Sequence, residues 1–397
     1  MEQEPATVSV TQERATEGGG TAEEWGAMRI ALVVGSSTGG VGAHVRGLVA
    51  GLVSRGHLTT VVAPAQVEEL FDFAGAGATV VRVEIGDRPH PLRDLGAALR
   101  LRRALSGKMD VVHAHGLRAG GASALARLSP LAVTVHNAPP EVRGPLRGAY
   151  PALEALVARR AEAVLGVSVD LERRMRDRGA RRVVSATVAA PQAPEPSRDR
   201  RSVRRELGVA EHEPLILTVA RLAPQKGLDT LLDASRRWAR RTSAPRVAVA
   251  GEGPLRAELQ ERVDAERLPV RLVGHRDDIA DLMAAADVFV LPSLWEGPSL
   301  VMMEAMRAAL PAVATRVGGI PERYANASLL VPPRDAGALA TAVDRVLDDS
   351  DFANRLRAAA AMKAVTLPTE SDAVAQLEAL YAELATDRGF PPRQSTV

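Results

Sequence analysis

No cysteine occurs among the 397 residues of this chain, which excludes disulfides, thiolate metal sites and cysteine nucleophiles. Aromatic residues make up only 3%, too few for the stacking platforms that single-stranded nucleic acid requires, so nucleic acid is not an expected partner. No apolar run approaches the ~20 residues needed to span a bilayer, and the N-terminus lacks the apolar core of a signal peptide, so a cytoplasmic protein is expected. The eight histidines show no H-E-x-x-H or comparable ligand spacing, so the expectation is no protein-held metal and no cofactor. Lysine is scarce too, with three against 47 arginines.

What remains is an ordinary composition, 46% hydrophobic and 25% charged, in a chain long enough for two domains with separate cores. The net charge of +2 is uneven: residues 1–27 carry −5, residues 28–190 carry +9 and residues 191–397 carry −2. A basic first half favours anionic partners, either a phosphorylated substrate or an anionic lipid surface. The best local candidate for a lipid contact is residues 92–105, where Leu92, Leu95 and Leu99 share a helical face into which Arg102 falls. An ordinary solvated helix is the competing reading of that segment.

Residues 1–27 are polar and acidic without periodicity and read as a disordered tail; residues 388–397 read as a second tail. From Met28, short apolar runs alternate with amphipathic stretches, at residues 30–34, 59–62, 80–83, 111–115, 132–136 and 164–167. This is the pattern of a doubly wound parallel sheet, over residues 28–189. A Pro-rich, charged segment at residues 190–202 interrupts it and reads as a hinge. The alternation restarts over residues 203–367, and a last helix at 368–387 follows the Pro368 break, placed to cross back onto the first domain. Two such α/β domains present the carboxyl ends of their strands to a shared cleft.

The polar residues at those strand ends are the site candidates. Gly39 and Gly40 belong to a glycine-rich loop that enters a helix, where N–H groups and the helix dipole favour an anion; a simple tight turn is the alternative. His113, His115 and His136 end two successive strands, and His136, followed by Asn137 and two prolines, is the candidate for ligand contact, with a structural role, the commoner one for a strand-end histidine, as the alternative. In the second domain, Arg221 and Lys226 follow the first strand, and an ammonium beside a guanidinium suits phosphate groups. Surface charge is the bland alternative. Gly251, Gly253 and the Gly318–Glu322 stretch form turns on the same rim.

Glu296 and Glu304, with seven residues between them, lie where a buried strand hands over to a helix expected to start near residue 297, with Pro298 at its first position. The helix is apolar almost all round Glu304, and a buried carboxylate must be neutralised or hydrogen-bonded. The two acids either meet a ligand or are a solvated loop residue and a structurally paired one.

Taken with VARLAPQKGLDTLLDA (219–234), AGEGPLRAEL (250–259), GGIPE (318–322) and LLVPPRD (329–335), the stretch VFVLPSLWEGPSLVMMEAM (288–306) resembles the retaining nucleotide-sugar glycosyltransferases of family 4. The resemblance covers about residues 28–385 and implies the α/β GT-B fold, two Rossmann-like doubly wound domains facing a central cleft. It implies metal-independent transfer of a sugar from a nucleotide-diphosphate donor, acting as co-substrate, to a hydroxyl acceptor. Arg221 and Lys226 would bind the diphosphate, Glu304 the ribose, Glu296 the transferred sugar, and the backbone around Pro298, Ser299 and Leu300 a phosphate. Gly39 and Gly40 match the glycine loop, and His136 matches a strand-end histidine beside the reacting sugar. A nucleotide-sugar epimerase or phosphorylase of the same fold, or a non-catalytic nucleotide-sugar-binding protein, would share part of this pattern.

Overall fold

The computed structural model describes residues 26–36, 39–138, 148–192, 194–241 and 244–386. The tails expected over residues 1–27 and 388–397 lie outside these, apart from Gly26 and Ala27.

Among the described residues thirteen strands form two parallel sheets. The first contains β1 (Arg29–Val34), β2 (Leu58–Ala63), β3 (Thr79–Arg82), β4 (Val111–His115), β5 (Leu131–Val135), β6 (Ala163–Gly166) and β7 (Val183–Ser185), in the order β3-β2-β1-β4-β5-β6-β7. The second contains β8 (Leu215–Val219), β9 (Arg246–Ala250), β10 (Val270–Gly274), β11 (Val288–Leu291), β12 (Ala312–Thr315) and β13 (Leu329–Val331), in the order β10-β9-β8-β11-β12-β13. In each sheet the strand order reverses once, between β1 and β4 and between β8 and β11, and such switch points open a crevice at the carboxyl edge.

Both faces of these strands are covered, which is why the runs read as nearly continuous apolar stretches. In β8 and β11, Leu215, Leu217, Phe289 and Leu291 pack into one core, whereas Ile216, Val288 and Val290 pack into another on the opposite face. β7 is a three-residue edge strand, only half-buried, and carries no pattern that a sequence reading could use.

The segment after β7 is irregular until Asp199, whose carboxylate caps the helix Arg200–Glu206 by accepting from Ser202 N at 2.9 Å. That helix starts inside the stretch assigned to the hinge. It belongs to the second domain, since buried Arg204 donates to the Ala285 carbonyl and to Asp287. The irregular connection is therefore shorter than 190–202 on its C-terminal side.

At the other end the helix Glu370–Thr386 leaves the second domain. Val374, Leu377, Leu380 and Tyr381 join the core of the first sheet. Glu378 pairs with Arg55, and with His57 at 2.9 Å, while Gln376 accepts from Thr187 N at 2.7 Å. The two domains are thus joined by two chain crossings. No helix among the described residues is long and apolar enough to cross a membrane.

Candidate active site

Lys226 ends a short 3-10 turn, Pro224–Lys226, at the carboxyl edge of β8, and the β11 loop carries Glu296 alongside it. Gly227 brings the two loops together. It sits at φ +61°, and a Cβ there would lie 2.1 Å from the Pro292 carbonyl, so no other residue allows this approach. The loops are laced further by Leu294 N donating to the Gln225 carbonyl at 2.8 Å and by Gln225 Nε2 donating to the Trp295 carbonyl at 2.9 Å.

In the resulting geometry Lys226 Nζ lies 2.7 Å from Glu296 Oε1, which also accepts from Ser293 Oγ at 2.5 Å. Glu296 is buried, so the ion pair and the hydroxyl compensate its lost hydration. The Ser293 carbonyl in turn accepts from Thr315 Oγ1 at 2.5 Å. From the β12 side, Gly319 N donates to the Glu296 carbonyl at 3.0 Å, and Gly318, at φ +50°, leaves room for that carbonyl where a Cβ would stand 1.7 Å away. The solvated Glu296 considered from spacing alone is not what the structure shows.

Arg221 stands exposed at the end of β8. Its loop is braced by the turn after β9: Leu222 N donates to the Glu252 carbonyl at 2.9 Å, and Leu255 N to the Leu222 carbonyl at 3.0 Å. Gly251 and Gly253 serve this brace, because a Cβ on either would meet the Ala220 or Leu222 carbonyl at 2.0 and 2.4 Å. Their visible contribution is close backbone packing that fixes the Arg221 loop.

The helix after β11 runs Leu300–Arg307, so Pro298 is not its first residue but precedes the cap. Ser299 occupies the cap position at φ +49°, and its buried hydroxyl has no hydrogen-bond partner among the described residues. Instead of starting the helix, Pro298 offers its carbonyl to Tyr324 Oη at 2.8 Å. One turn on, Glu304 is half-buried and has no side-chain hydrogen bond or ion pair among the described residues. Burial pushes its carboxyl above the usual range, with nearby Arg307 opposing the shift. Arg307 itself donates to the carbonyls of Ala190 and Pro191, at 3.0 and 2.8 Å, tying this helix to the interdomain segment.

The first domain meets this edge at several points. Trp295 Nε1 donates to Asp170 Oδ2 at 3.1 Å. A Cβ at Gly297 would lie 3.4 Å from the His136 carbonyl, and one at Gly40 would lie 3.1 Å from Leu300 Cδ1. Gly40 opens the helix Gly40–Ser54, and Gly39 caps it facing open space; Ser37 and Thr38 of that loop lie outside the described residues.

His136 belongs to a buried group of four imidazoles that includes His44, which the sequence reading missed because it lies on a helix and not at a strand end. His136 Nε2 is 3.1 Å from His115 Nδ1, His113 is 4.2 Å ring to ring from His115, and His44 stands edge-on to His115 and His136 at about 6 Å. His113 is held between Tyr381 Oη at 2.6 Å and Thr134 Oγ1 at 2.7 Å, a structural setting. Desolvation keeps all four neutral: His44 is lowered to about 4, His113 to about 3, and His115 and His136 fall well below the usual value, with repulsion from neighbouring imidazoles adding to the last three. No group of three or more His, Asp or Glu side chains among the described residues is placed to hold a metal ion.

Sequence reasoning also missed Ser293, Thr315 and Tyr324, which fix the Glu296 loop, and Asp170, which receives Trp295. Only Ser293 carried a signal, three residues before Glu296.

Residues 39–191 match the family model for the glycosyl transferase 4-like domain, and residues 213–349 match that for glycosyl transferases group 1. Glycogen synthase of Mycobacterium tuberculosis is 32% identical over 315 residues, covering 74% of this chain and 73% of that protein. Alpha-D-kanosaminyltransferase of Streptomyces kanamyceticus is 29% identical over 191 residues; the match spans 47% of this chain and 50% of that relative's length. Among solved structures, Alr3699/HepE of Anabaena in complex with UDP superposes with a TM-score of 0.76 at 21% identity, over 90% of this chain and 100% of that one. The same protein has also been solved with UDP-glucose, with a TM-score of 0.73. With both domain models matched in order along the chain and a relative aligned over nearly three quarters of its length, the chain belongs to the family 4-like glycosyltransferases of GT-B fold.

Proposed function

We propose that this protein is a retaining, metal-independent glycosyltransferase that moves a sugar from a nucleotide-diphosphate donor to a hydroxyl acceptor. The observation that carries this reading is the convergence of Arg221, the Lys226–Glu296 pair and the N-terminus of the helix Leu300–Arg307 on one strand edge facing the first domain. Breaking a glycosyl–phosphate bond through an oxocarbenium-like transition state develops negative charge on the leaving diphosphate, and preorganised cations and N–H dipoles stabilise that charge most where water is excluded. The buried, unpartnered Ser299 hydroxyl adds a donor at the same helix end. His136, whose carbonyl lies beside Gly297, is assigned a place next to the transferred sugar. Retention would follow from attack on the face the diphosphate leaves, the departing phosphate taking the acceptor's proton.

Glu304 is assigned to the donor ribose. A half-buried carboxylate without a partner is costly, and a diol donating two hydrogen bonds relieves that cost. The Anabaena neighbour's UDP and UDP-glucose make uridine nucleotides the first donors to test. Glu304→Gln is expected to weaken UDP binding by roughly tenfold, the loss of about 1.5 kcal/mol in a charge-assisted hydrogen bond. Glu296→Gln should act mainly on turnover. Calorimetric titration decides: an unchanged UDP affinity in the Glu304 variant removes the ribose role.

Two further outcomes are expected of the same preparation. Activity should survive EDTA, because the diphosphate charge is met by Arg221, Lys226 and the helix N-terminus. The product's anomeric configuration, read by NMR, should equal the donor's. Loss of activity in EDTA that divalent metal restores, or an inverted product, contradicts the proposal. Epimerised or phosphorolysed product would point to the other enzymes of this fold.

A further inference from the structure

The helix Pro91–Leu105 turns the wrong leucines to the core for an ordinary solvated helix. Its buried face is made of Ala97, Ala98, Leu101 and Leu105, whereas Leu92, Leu95 and Leu99 stand 77%, 54% and 50% exposed. The spacing of 92, 95 and 99, continued by Arg103, places these residues along one outward stripe. Arg93, Arg100 and Arg102, all exposed, flank it. The helix has one acid, Asp94, and it is turned inward to Arg118, donating nothing to the outer face; it also accepts from His90 N at 3.0 Å. The outer face is therefore apolar along its middle, cationic along its margins and without negative charge.

Arginine is common everywhere on this protein, and many of its guanidiniums are paired with acids. Arg236 pairs with Glu266, Arg262 with Asp233, Arg241 with Asp344 and Asp348, and Arg276 with Glu206 and Asp278, while in the first domain Arg118 pairs with Asp94 and Arg174 with Glu154. The guanidiniums of Arg93, Arg100, Arg102 and Arg103 make no ion pair or hydrogen bond among the described residues. An exposed leucine stripe between uncompensated cations is the pattern of a helix that lies in the plane of an anionic bilayer interface, leucines in the acyl boundary and arginines at the headgroups.

We propose that the outward face of the helix Pro91–Leu105 docks on an anionic lipid surface. Its Leu92 end lies at the carboxyl edge of the first sheet, since Arg118, at the start of the helix that follows β4, donates to Asp94 and to the Gly86 and Arg88 carbonyls. Docking thus sets the cleft-facing rim of the first domain next to the membrane.

Flotation with phosphatidylcholine vesicles, with and without phosphatidylglycerol, tests this at low and at high salt. The protein is expected to bind the phosphatidylglycerol vesicles at low salt, to leave them at high salt and to ignore neutral vesicles. Leu95→Ser with Leu99→Ser, and separately Arg100→Glu with Arg103→Glu, should each weaken binding by roughly tenfold or more, with the melting temperature unchanged because all four side chains are exposed. Absence of wild-type binding at low salt overturns the proposal, as does binding that the leucine variant retains in full. A dimer in light scattering that the leucine variant dissolves would also overturn it, giving the face to a second copy. The measurement needs no turnover, so it stands or falls apart from the glycosyl-transfer reading.

Discussion

Replacing Lys226 with alanine is expected to lower turnover by roughly a hundredfold or more, the effect of deleting one preorganised donor from a site of developing negative charge. Two losses combine in this variant. The ammonium that would meet the departing diphosphate disappears, and among the described residues buried Glu296 keeps only Ser293 Oγ as a side-chain hydrogen-bond partner. Arginine should not restore the rate, because its planar fork cannot reproduce a compact charge held 2.7 Å from Glu296 beneath a glycine turn. Arg221→Ala removes the neighbouring cation and should lower turnover by a similar factor. A double-variant cycle separates the two losses: if Glu296→Gln costs much less when Lys226 is already alanine, the residues act as one unit. Breaking a fully buried pair costs about 3–5 kcal/mol, and because Lys226 is partly exposed the stability loss should be smaller. Melting temperatures taken before the kinetics check that the variants are folded. Wild-type turnover in both Lys226→Ala and Arg221→Ala, with a verified donor, would remove the diphosphate role.

Most of the architecture was legible because parallel strands buried on both faces write themselves as apolar runs. Residues 111–115 are a strand with the bounds the pattern predicts, and the other five runs read in the first domain fall on β1, β2, β3, β5 and β6 to within one residue at either end. β7 was not legible: two half-buried valines and an exposed serine at a sheet edge carry neither a run nor an alternation. The helix after β11 was placed about three residues early because Pro298 is well suited to a first helical position, a local preference that lost to a tertiary bond from Tyr324 to its carbonyl. At the site, sequence identified charged residues and glycines but not what joins them. That Lys226 meets Glu296 depends on β8 and β11 being neighbours at the switch point, 70 residues apart in the chain, and that contact is a product of topology. The leucine stripe of 92, 95 and 99 was visible as a periodicity, but the face that packs inward is the one that carries Ala97, Ala98, Leu101 and Leu105, a choice between two partly apolar faces that periodicity alone does not make.

Acid should unfold the first domain well before its carboxylates are neutralised. His44, His113, His115 and His136 are buried together and all titrate below the ordinary histidine value of 6.5, His44 at about 4 and His113 at about 3. In the unfolded chain the same residues take up protons near 6.5, so below that pH the unfolded state binds more protons than the native one. Stability from neutral burial is therefore complete above 6.5 and is lost as pH falls through the window down to the folded values. Each imidazole costs about 1.4 kcal/mol per pH unit in that window, so His44 and His113 together remove on the order of 4 kcal/mol at about pH 5, and His115 and His136 add in the same direction, against the 5–15 kcal/mol that holds a typical domain together. Nothing offsets a charge gained by His113, whose ring nitrogens bond the neutral hydroxyls of Tyr381 and Thr134 and which no carboxylate among the described residues contacts. His113→Gln keeps a polar group there and removes one titrating site, so its stability at neutral pH should fall while its slope against pH becomes shallower by about one proton. Urea unfolding followed between about pH 7.5 and 5 measures both quantities through the free energy and its slope. A slope below one proton over that range, or an unchanged slope in His113→Gln, would show that the four imidazoles do not remain neutral together in the folded protein.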